Sequence, residues 1–130
     1  MGPNTAMDPR ALTLKFNEHI NNRDLDGLAA LMTDDHAFVD TANHPIRGKV
    51  RCLEAWRGFF TSFPDYRNEF DRLVVEDNKV SVVGRSHCSD GRLNGPALWL
   101  ARTSACKLAE WRVYEDTAPN RRMLGIGTCA

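Results

Sequence analysis

The segment DDHAFVDTANHPIRG, residues 34–48, carries three aspartates and two histidines, the side chain types that transfer protons or bind metal ions. Asp40 follows the apolar residues Phe38 and Val39. A carboxylate carried into an apolar cavity has a raised pKa, which suits a general base near neutral pH. An aspartate at the end of a strand can instead cap the turn that follows it. The residues alone leave both interpretations of Asp40 open.

The spacing of His36, Asp40 and His44 does not predict a metal site. Ligands four residues apart share a face only on a helix, and Pro45 speaks against a helix here. On a strand, His36 and Asp40 share a face but lie about 13 Å apart. The four cysteines contain no CxxC pair, which a zinc ribbon would need. We therefore predict no metal and no other cofactor, and we place His44 in a turn where it could contact a ligand.

Three helices and one strand are predicted to position these residues. Apolar side chains recur at helical spacing in residues 8–22, 24–35 and 49–63. Asp8 and Asp24 are suitable N-caps for the first two helices, and the second is expected to end in solvent at Asp34 and Asp35. Residues 36–41 are predicted to form a strand, and the segment ANHPIRG that follows is predicted to form a turn.

The rest of the chain predicts an antiparallel sheet. Residues 67–88 form two strands around the turn EDNK, and residues 95–104 and 107–117 form two more. Helices followed by such hairpins indicate an α+β fold. A curved sheet wrapped around the first helix closes into a cone, and the open end of the cone is the place to expect a ligand.

Length and composition indicate one ordinary globular domain over residues 1–130, with a lead-in at 1–8 and a tail at 118–130. Lysine plus arginine and aspartate plus glutamate both number 17, so the net charge is zero and nucleic acid is not an expected partner. No apolar run approaches the roughly 20 residues of a membrane helix, and the N-terminus does not resemble a signal peptide. The sequence therefore predicts no membrane partner and a cytoplasmic protein.

The last predicted strand offers a second carboxylate. Trp111, Val113 and Glu115 alternate along one face of that strand, which is the more apolar face and is expected to look into the cone. Glu115 could then act with Asp40 as an acid and base pair. A salt bridge from Glu115 to an arginine of a neighbouring strand is the alternative.

Aromatic side chains and one more histidine complete the candidate site. Trp56, Phe60, Trp99 and Trp111 could form a wall for a flat hydrophobic ligand, or they could fill the core. The position of His87 late in its strand leaves pocket and outer face equally open.

Three segments give the chain a family resemblance: NNRDLDGLAALMTDDHAFVD at 21–40, FFTSFPDYRNEF at 59–70 and WRVYEDT at 111–117. They resemble the nuclear transport factor 2-like superfamily and, within it, ketosteroid isomerases and SnoaL-like polyketide cyclases. The resemblance covers about residues 10–117. It implies a cone-shaped, cystatin-like α+β fold and a homodimer formed through the outer face of the sheet.

The resemblance also implies roles for single residues. Asp40 occupies the position of the general base of ketosteroid isomerases, an enzyme class in which a tyrosine and a protonated aspartic acid stabilise the oxyanion. Those two positions are Phe16 and Trp99 here, and the acid position of the cyclases is Val113. Of these three, only the indole N–H of Trp99 could donate a hydrogen bond.

The expectation that follows is a cofactor-independent isomerase or cyclase acting on a small hydrophobic carbonyl compound, with lyase and hydrolase variants left open. Asp40 would take a proton, Glu115 would return it, and the aromatic residues with His44 and His87 would bind the substrate. The alternative is a domain without catalytic activity that binds a hydrophobic ligand or serves in dimerisation.

Overall fold

The computed structural model describes residues 8–127 of the chain, so Cys129 and most of the expected lead-in lie outside the described residues. The helices are α1 (Pro9–Asn21), α2 (Leu25–Leu31), α3 (Lys49–Ser62) and α4 (Ala118–Met123). The strands are β1 (Met32–Val39), β2 (Pro45–Arg47), β3 (Arg67–Glu76), β4 (Lys79–His87), β5 (Gly95–Ser104) and β6 (Lys107–Glu115). The predicted α+β fold, with helices packed on a curved sheet, is confirmed.

Local chemistry explains where the first helix begins and which face it buries. The carboxylate of Asp8 accepts the backbone N–H of Ala11 over 2.7 Å, and a proline fills the first helical position. Leu12, Phe16 and Ile20 recur at four-residue spacing and are at most 1% exposed. This face of α1 packs against β3, β4, β5 and β6, so the helix lies in the hollow of the sheet.

The six strands form one sheet in the order β2-β1-β6-β5-β4-β3. All neighbours are antiparallel except β1 and β6, which run parallel, so the sheet is mixed where a purely antiparallel one is expected. Phe38 on β1 lies directly beside Trp111 on β6. Because register partners share a face, both side chains point into the hollow of the sheet.

Two predicted boundaries are wrong around β1. Asp34 and Asp35 do not end a helix: α2 stops at Leu31, and both aspartates lie exposed on β1, because Met32 already pairs with Leu108 on β6. Pro45–Arg47, predicted as turn, forms the short strand β2 against the end of β1. The predicted strand at 36–41 is therefore displaced, and Asp40 follows β1 instead of lying on it.

The C-terminal segment crosses the outer face of the sheet. The backbone carbonyl of Leu124 accepts the hydroxyl of Ser81 over 3.1 Å, and that of Ile126 accepts Arg72 over 2.9 Å. Ile126 is 5% exposed. Residues after α4 therefore cover part of the face that α1 does not.

Candidate ligand-binding site

A cavity of about 340 Å³ opens between α3, the end of β1 and the inner face of β6. We call it the chamber. Its wall is mainly hydrocarbon and aromatic carbon, and it is formed by Phe38, Asp40, Thr41, Ile46, Cys52, Ala55, Trp56, Phe59, Tyr66, Leu93, Trp111 and Val113. Helical spacing brings Cys52, Trp56 and Phe59 to one side, and strand alternation brings Trp111 and Val113 to the other.

Asp40 is the only carboxylate among the described residues that form the chamber wall. Its Oδ1 accepts the backbone N–H groups of Ala42 and His44, each over 2.9 Å. Its Oδ2 lies 3.7 Å from Nδ1 of His44, and the side chain is 45% exposed. Asp40 therefore caps the turn after β1 and also presents one less engaged oxygen at the rim of the chamber.

A second, more polar cavity adjoins the chamber, and we call it the outer cleft. The two share four wall residues, which are Thr41, Tyr66, Leu93 and Val113. The outer cleft also meets residues with polar side chains, including Ser86, Arg92, Asn94, Glu115 and Asp116. An apolar interior thus continues into a polar entrance.

Glu115 borders the outer cleft and is not part of the chamber wall. It ends β6 opposite Ala97, and its backbone carbonyl accepts the side-chain amide of Asn120 over 2.8 Å. Its neighbour Asp116 forms an ion pair with Arg121, with Nε to Oδ1 at 2.6 Å, and this bond lowers the pKa of that carboxyl. The structure thus separates the two carboxylates of the expected pair between two connected cavities.

The aromatic residues expected in the site divide between chamber and core. Trp56, Trp111 and Val113 form part of the chamber wall. Phe16 and Trp99 are fully buried outside it: Phe16 packs on Trp111 with ring centres 4.7 Å apart, and Trp99 packs on Phe70 at 5.0 Å.

Phe60 lies behind the wall and packs on the ring of Trp56 with centres 5.4 Å apart. The two expected histidines also lie apart from the chamber wall. His44 is 79% exposed beside Asp40, and Nε2 of His87 lies 2.9 Å from a carboxylate oxygen of Glu69.

Three polar residues of the chamber wall were absent from the predicted site, namely Thr41, Cys52 and Tyr66. The thiol of Cys52 donates to the backbone carbonyls of His36 and Ile46, over 3.5 and 3.3 Å, and burial raises its pKa. This thiol is a packing group with little nucleophilic character. The hydroxyl of Tyr66 lies 3.2 Å from that of Ser86, and burial raises its pKa too. Its position after Pro64, at the start of the strand segment, was the only sequence signal available.

One donor on the α3 side of the chamber is unused. The indole Nε1 of Trp56 is buried and has no hydrogen-bond partner within residues 8–127. In that same range no group of three or more histidine, cysteine, aspartate or glutamate side chains is placed to hold a metal ion. None of the described helices is long and apolar enough to cross a membrane.

The sequence profile of the SnoaL-like domain matches residues 14–116 of the chain. No significant match was found among curated proteins.

Several solved structures share the fold. An epoxide hydrolase of the LEH-like type from M. tuberculosis is 17% identical, with a TM-score of 0.74 over 87% of this chain and 86% of that one. A putative polyketide cyclase from Sinorhizobium meliloti is 15% identical, with a TM-score of 0.72 over 78% and 92%. An NTF2-like protein from Cytophaga hutchinsonii is 15% identical, with a TM-score of 0.72 over 91% and 98%. At these identities the similarity concerns the fold alone.

Proposed function

The chain belongs to the SnoaL-like domain family, and from that premise we propose that it binds a small, mainly apolar molecule in the chamber. The observation that carries the proposal is the chamber itself, a cavity of about 340 Å³ whose wall is largely apolar. Pockets that bury small molecules are concave and apolar, with a few polar groups that orient the ligand. Asp40, Tyr66 and the indole of Trp56 supply such groups here.

A fluorescent apolar probe, N-phenyl-1-naphthylamine, tests this proposal. We expect saturable binding to the wild-type protein and a loss of at least about tenfold in affinity for Val113→Phe, because the larger ring occupies the chamber. Val50→Phe adds the same ring at a site that is 71% exposed and serves as the matched control. Equal binding by Val113→Phe and the wild type, with both proteins folded, would contradict the proposal.

A second candidate function is proton transfer on the bound molecule, and the position of Asp40 on the chamber wall favours it. Oδ2, the less engaged oxygen, would take a proton from the carbon next to a carbonyl group. The bonding electrons would move onto the carbonyl oxygen to give an enolate. Return of the proton at another carbon would isomerise the substrate, and attack of the enolate carbon on a second carbonyl would cyclise it. Glu115 in the outer cleft would exchange protons with solvent.

Hydrogen exchange on 2-tetralone, an apolar cyclic ketone, tests this step without knowledge of the natural substrate. In deuterated water, NMR should show faster exchange of the α-hydrogens with the protein than without it. Asp40→Asn should lower the protein-dependent rate by about 10²-fold or more, the usual contribution of a general base. Asp34→Asn, on the exposed part of β1, is the matched control. Equal rates for Asp40→Asn and the wild type would remove Asp40 from the chemistry.

We also propose a homodimer through the part of the outer sheet face around Arg112 and Tyr114. The guanidinium of Arg112 lies 5.7 Å from the ring centre of Tyr114 and pairs with Glu110 at 3.1 Å. Sedimentation velocity should show a dimer that Arg112→Glu weakens. A monomer at all accessible concentrations would contradict this arrangement.

A further inference from the structure

A chain of buried polar side chains runs inward from the junction of the chamber and the outer cleft. Tyr66 belongs to the walls of both cavities, and its hydroxyl lies 3.2 Å from that of Ser86. Behind them lie Asn68 and Asn17, which link β3 to α1. Tyr66, Ser86, Asn68 and Asn17 are all less than 9% exposed. The direction of each hydrogen bond in this chain can be worked out from its inner end.

The inner end is anchored on a backbone carbonyl. Nδ2 of Asn17 donates to the backbone oxygen of Asn68 over 3.3 Å, and a carbonyl oxygen can only accept. The side-chain oxygen of Asn17 therefore faces Nδ2 of Asn68, which donates to it over 3.2 Å. The side-chain oxygen of Asn21 accepts the backbone N–H of Asn68 over 2.8 Å and fixes this backbone further. The amide of Asn68 is thereby left with its oxygen pointing outward.

The orientation passes to Ser86 and then to Tyr66. Ser86 donates its single hydroxyl proton to the side-chain oxygen of Asn68 over 2.8 Å. Ser86 consequently has no proton left for Tyr66, so the phenol must donate its own proton to Ser86. Were the phenol to turn toward Asn68, it would meet an oxygen there as well. In either case the proton of Tyr66 points inward.

What remains at the junction is the oxygen of Tyr66 with its lone pairs. Ser86 also lines the outer cleft, which places the hydroxyl end of Tyr66 beside that cleft. Burial raises the pKa of Tyr66, and this effect exceeds the opposite effect of its hydrogen bonds with Ser86 and Asn68. A neutral phenol whose proton is already engaged can accept a hydrogen bond without losing one, whereas donating would break its bond to Ser86.

We propose that Tyr66 is a specificity-determining hydrogen-bond acceptor, and that the chamber takes an aromatic or alicyclic molecule whose hydroxyl or N–H group meets Tyr66 at the junction. This inference rests on the proposed binding function and adds the chemistry of the ligand. It gives Tyr66 a role opposite to that of a donor to a carbonyl or enolate oxygen.

Three naphthalene probes separate these roles, and their dissociation constants are to be measured by calorimetry. 2-Naphthol carries a donor, 2-methoxynaphthalene has lost the donor, and 2-acetylnaphthalene offers only a carbonyl acceptor. We expect the wild-type protein to bind 2-naphthol about three- to tenfold more tightly than the methyl ether, as one net hydrogen bond allows. In Tyr66→Phe this preference should disappear, while the affinities of the other two probes stay unchanged. An effect due only to the size of the methyl group would persist in Tyr66→Phe.

Thr61→Val is the matched control, because it removes an exposed hydroxyl that donates to the backbone carbonyl of Arg57 on α3 and belongs to the wall of neither cavity. It should retain the full preference for 2-naphthol. A preference for 2-acetylnaphthalene that is lost in Tyr66→Phe would show that Tyr66 donates and would overturn the proposal. Equal binding of all three probes to the wild type overturns it too, although the proposed binding function then stands. If none of the three probes binds, the acceptor role of Tyr66 and the proposed binding function are both overturned. These two outcomes are read from the wild-type protein alone.

Discussion

The backbone N–H of His44 donates to Oδ1 of Asp40 over 2.9 Å, and the backbone N–H of Asp40 donates back to the carbonyl of His44 over 3.3 Å. The two residues thus close the turn between β1 and β2. The same carboxylate forms part of the chamber wall. The turn-capping interpretation of Asp40 therefore describes its Oδ1, and the chemical role proposed above concerns its Oδ2.

Two substitutions of Asp40 separate these oxygens by their effect on stability. Asp40→Asn keeps an acceptor for both backbone N–H groups, so its free energy of unfolding should lie within about 0.5 kcal/mol of the wild type. Asp40→Ala removes that acceptor and should cost about 1 kcal/mol, because the half-exposed turn loses bonds that water only partly replaces. Urea denaturation measures both. Asp34→Asn and Asp34→Ala, on exposed β1, should differ little, and a similarly small difference at Asp40 would contradict the prediction.

The periodicity of apolar residues suffices to predict the helices and several residues of the chamber wall. The helix predicted over 49–63 is observed as α3, Lys49–Ser62, with Trp56 on the chamber side. The alternation that places Trp111 and Val113 together on β6 is also observed. Both patterns are local, so they need no knowledge of distant partners.

The depth of the cavity and its polar wall depend on contacts that are distant in the sequence. Trp99 shares an inward face with the wall residues but lies under Phe70, because the curvature of the sheet brings β3, two strands away from β5, over it. The start of β1 depends on pairing with Leu108, 76 positions after Met32. Tyr66, in the loop before β3, bonds Ser86 on β4, 20 positions later in the chain. Spacing within one segment carries none of this information.

The two glycines Gly84 and Gly58 should respond oppositely to a methyl group. A Cβ at Gly84 on β4 would overlap the backbone carbonyl oxygen of Glu69 on β3, and backbone yields less easily than a side chain. Gly84→Ala should lower the free energy of unfolding by about 1–3 kcal/mol. Gly58 lies within α3, and a methyl group added there would meet nothing within 4 Å. Gly58→Ala should therefore raise the free energy of unfolding by about 0.5–1 kcal/mol, because alanine favours the helix more than glycine does. Thermal and urea unfolding would contradict this if both shifts had the same sign.

His36 should make the fold less stable in mild acid. Burial lowers the pKa of its imidazole below the ordinary 6.5, and it outweighs the opposite effects of the bond to Leu108 and the charges of Glu110 and Asp35. At a pH between the folded and the unfolded pKa, the imidazole of His36 is therefore protonated in the unfolded chain but not in the folded protein. The stability linked to His36 is complete above the unfolded value and is lost as the pH falls from there toward the lower folded pKa.

The measurement compares the free energy of unfolding at about pH 7.5 and about pH 5.5. His36→Asn keeps an N–H that can reach the carbonyl of Leu108 in place of Nδ1, which lies 2.7 Å from it, but cannot titrate. Asparagine fills less of the core than histidine, so the absolute stabilities of the two proteins are not comparable. The informative quantity is the change in the free energy of unfolding between the two pH values, which should be smaller in His36→Asn than in the wild type. His44→Asn, at a site 79% exposed, should retain the wild-type difference. An unchanged pH dependence in His36→Asn would exclude His36 as its source.

The amide chain behind Tyr66 should show strong energetic coupling between Asn17 and Asn68. Each alanine substitution leaves one polar atom of the other buried amide without a partner and should cost about 1–3 kcal/mol. Because the second substitution removes a group already left unpaired, the double variant should cost less than the sum by about 0.5–3 kcal/mol. Asn78 caps the far end of the β3–β4 hairpin, about 33 Å along the strand from Asn68, and bonds Thr103. Asn17→Ala and Asn78→Ala should therefore be additive, and additivity for Asn17 with Asn68 as well would mean that the directed chain does not act as a unit.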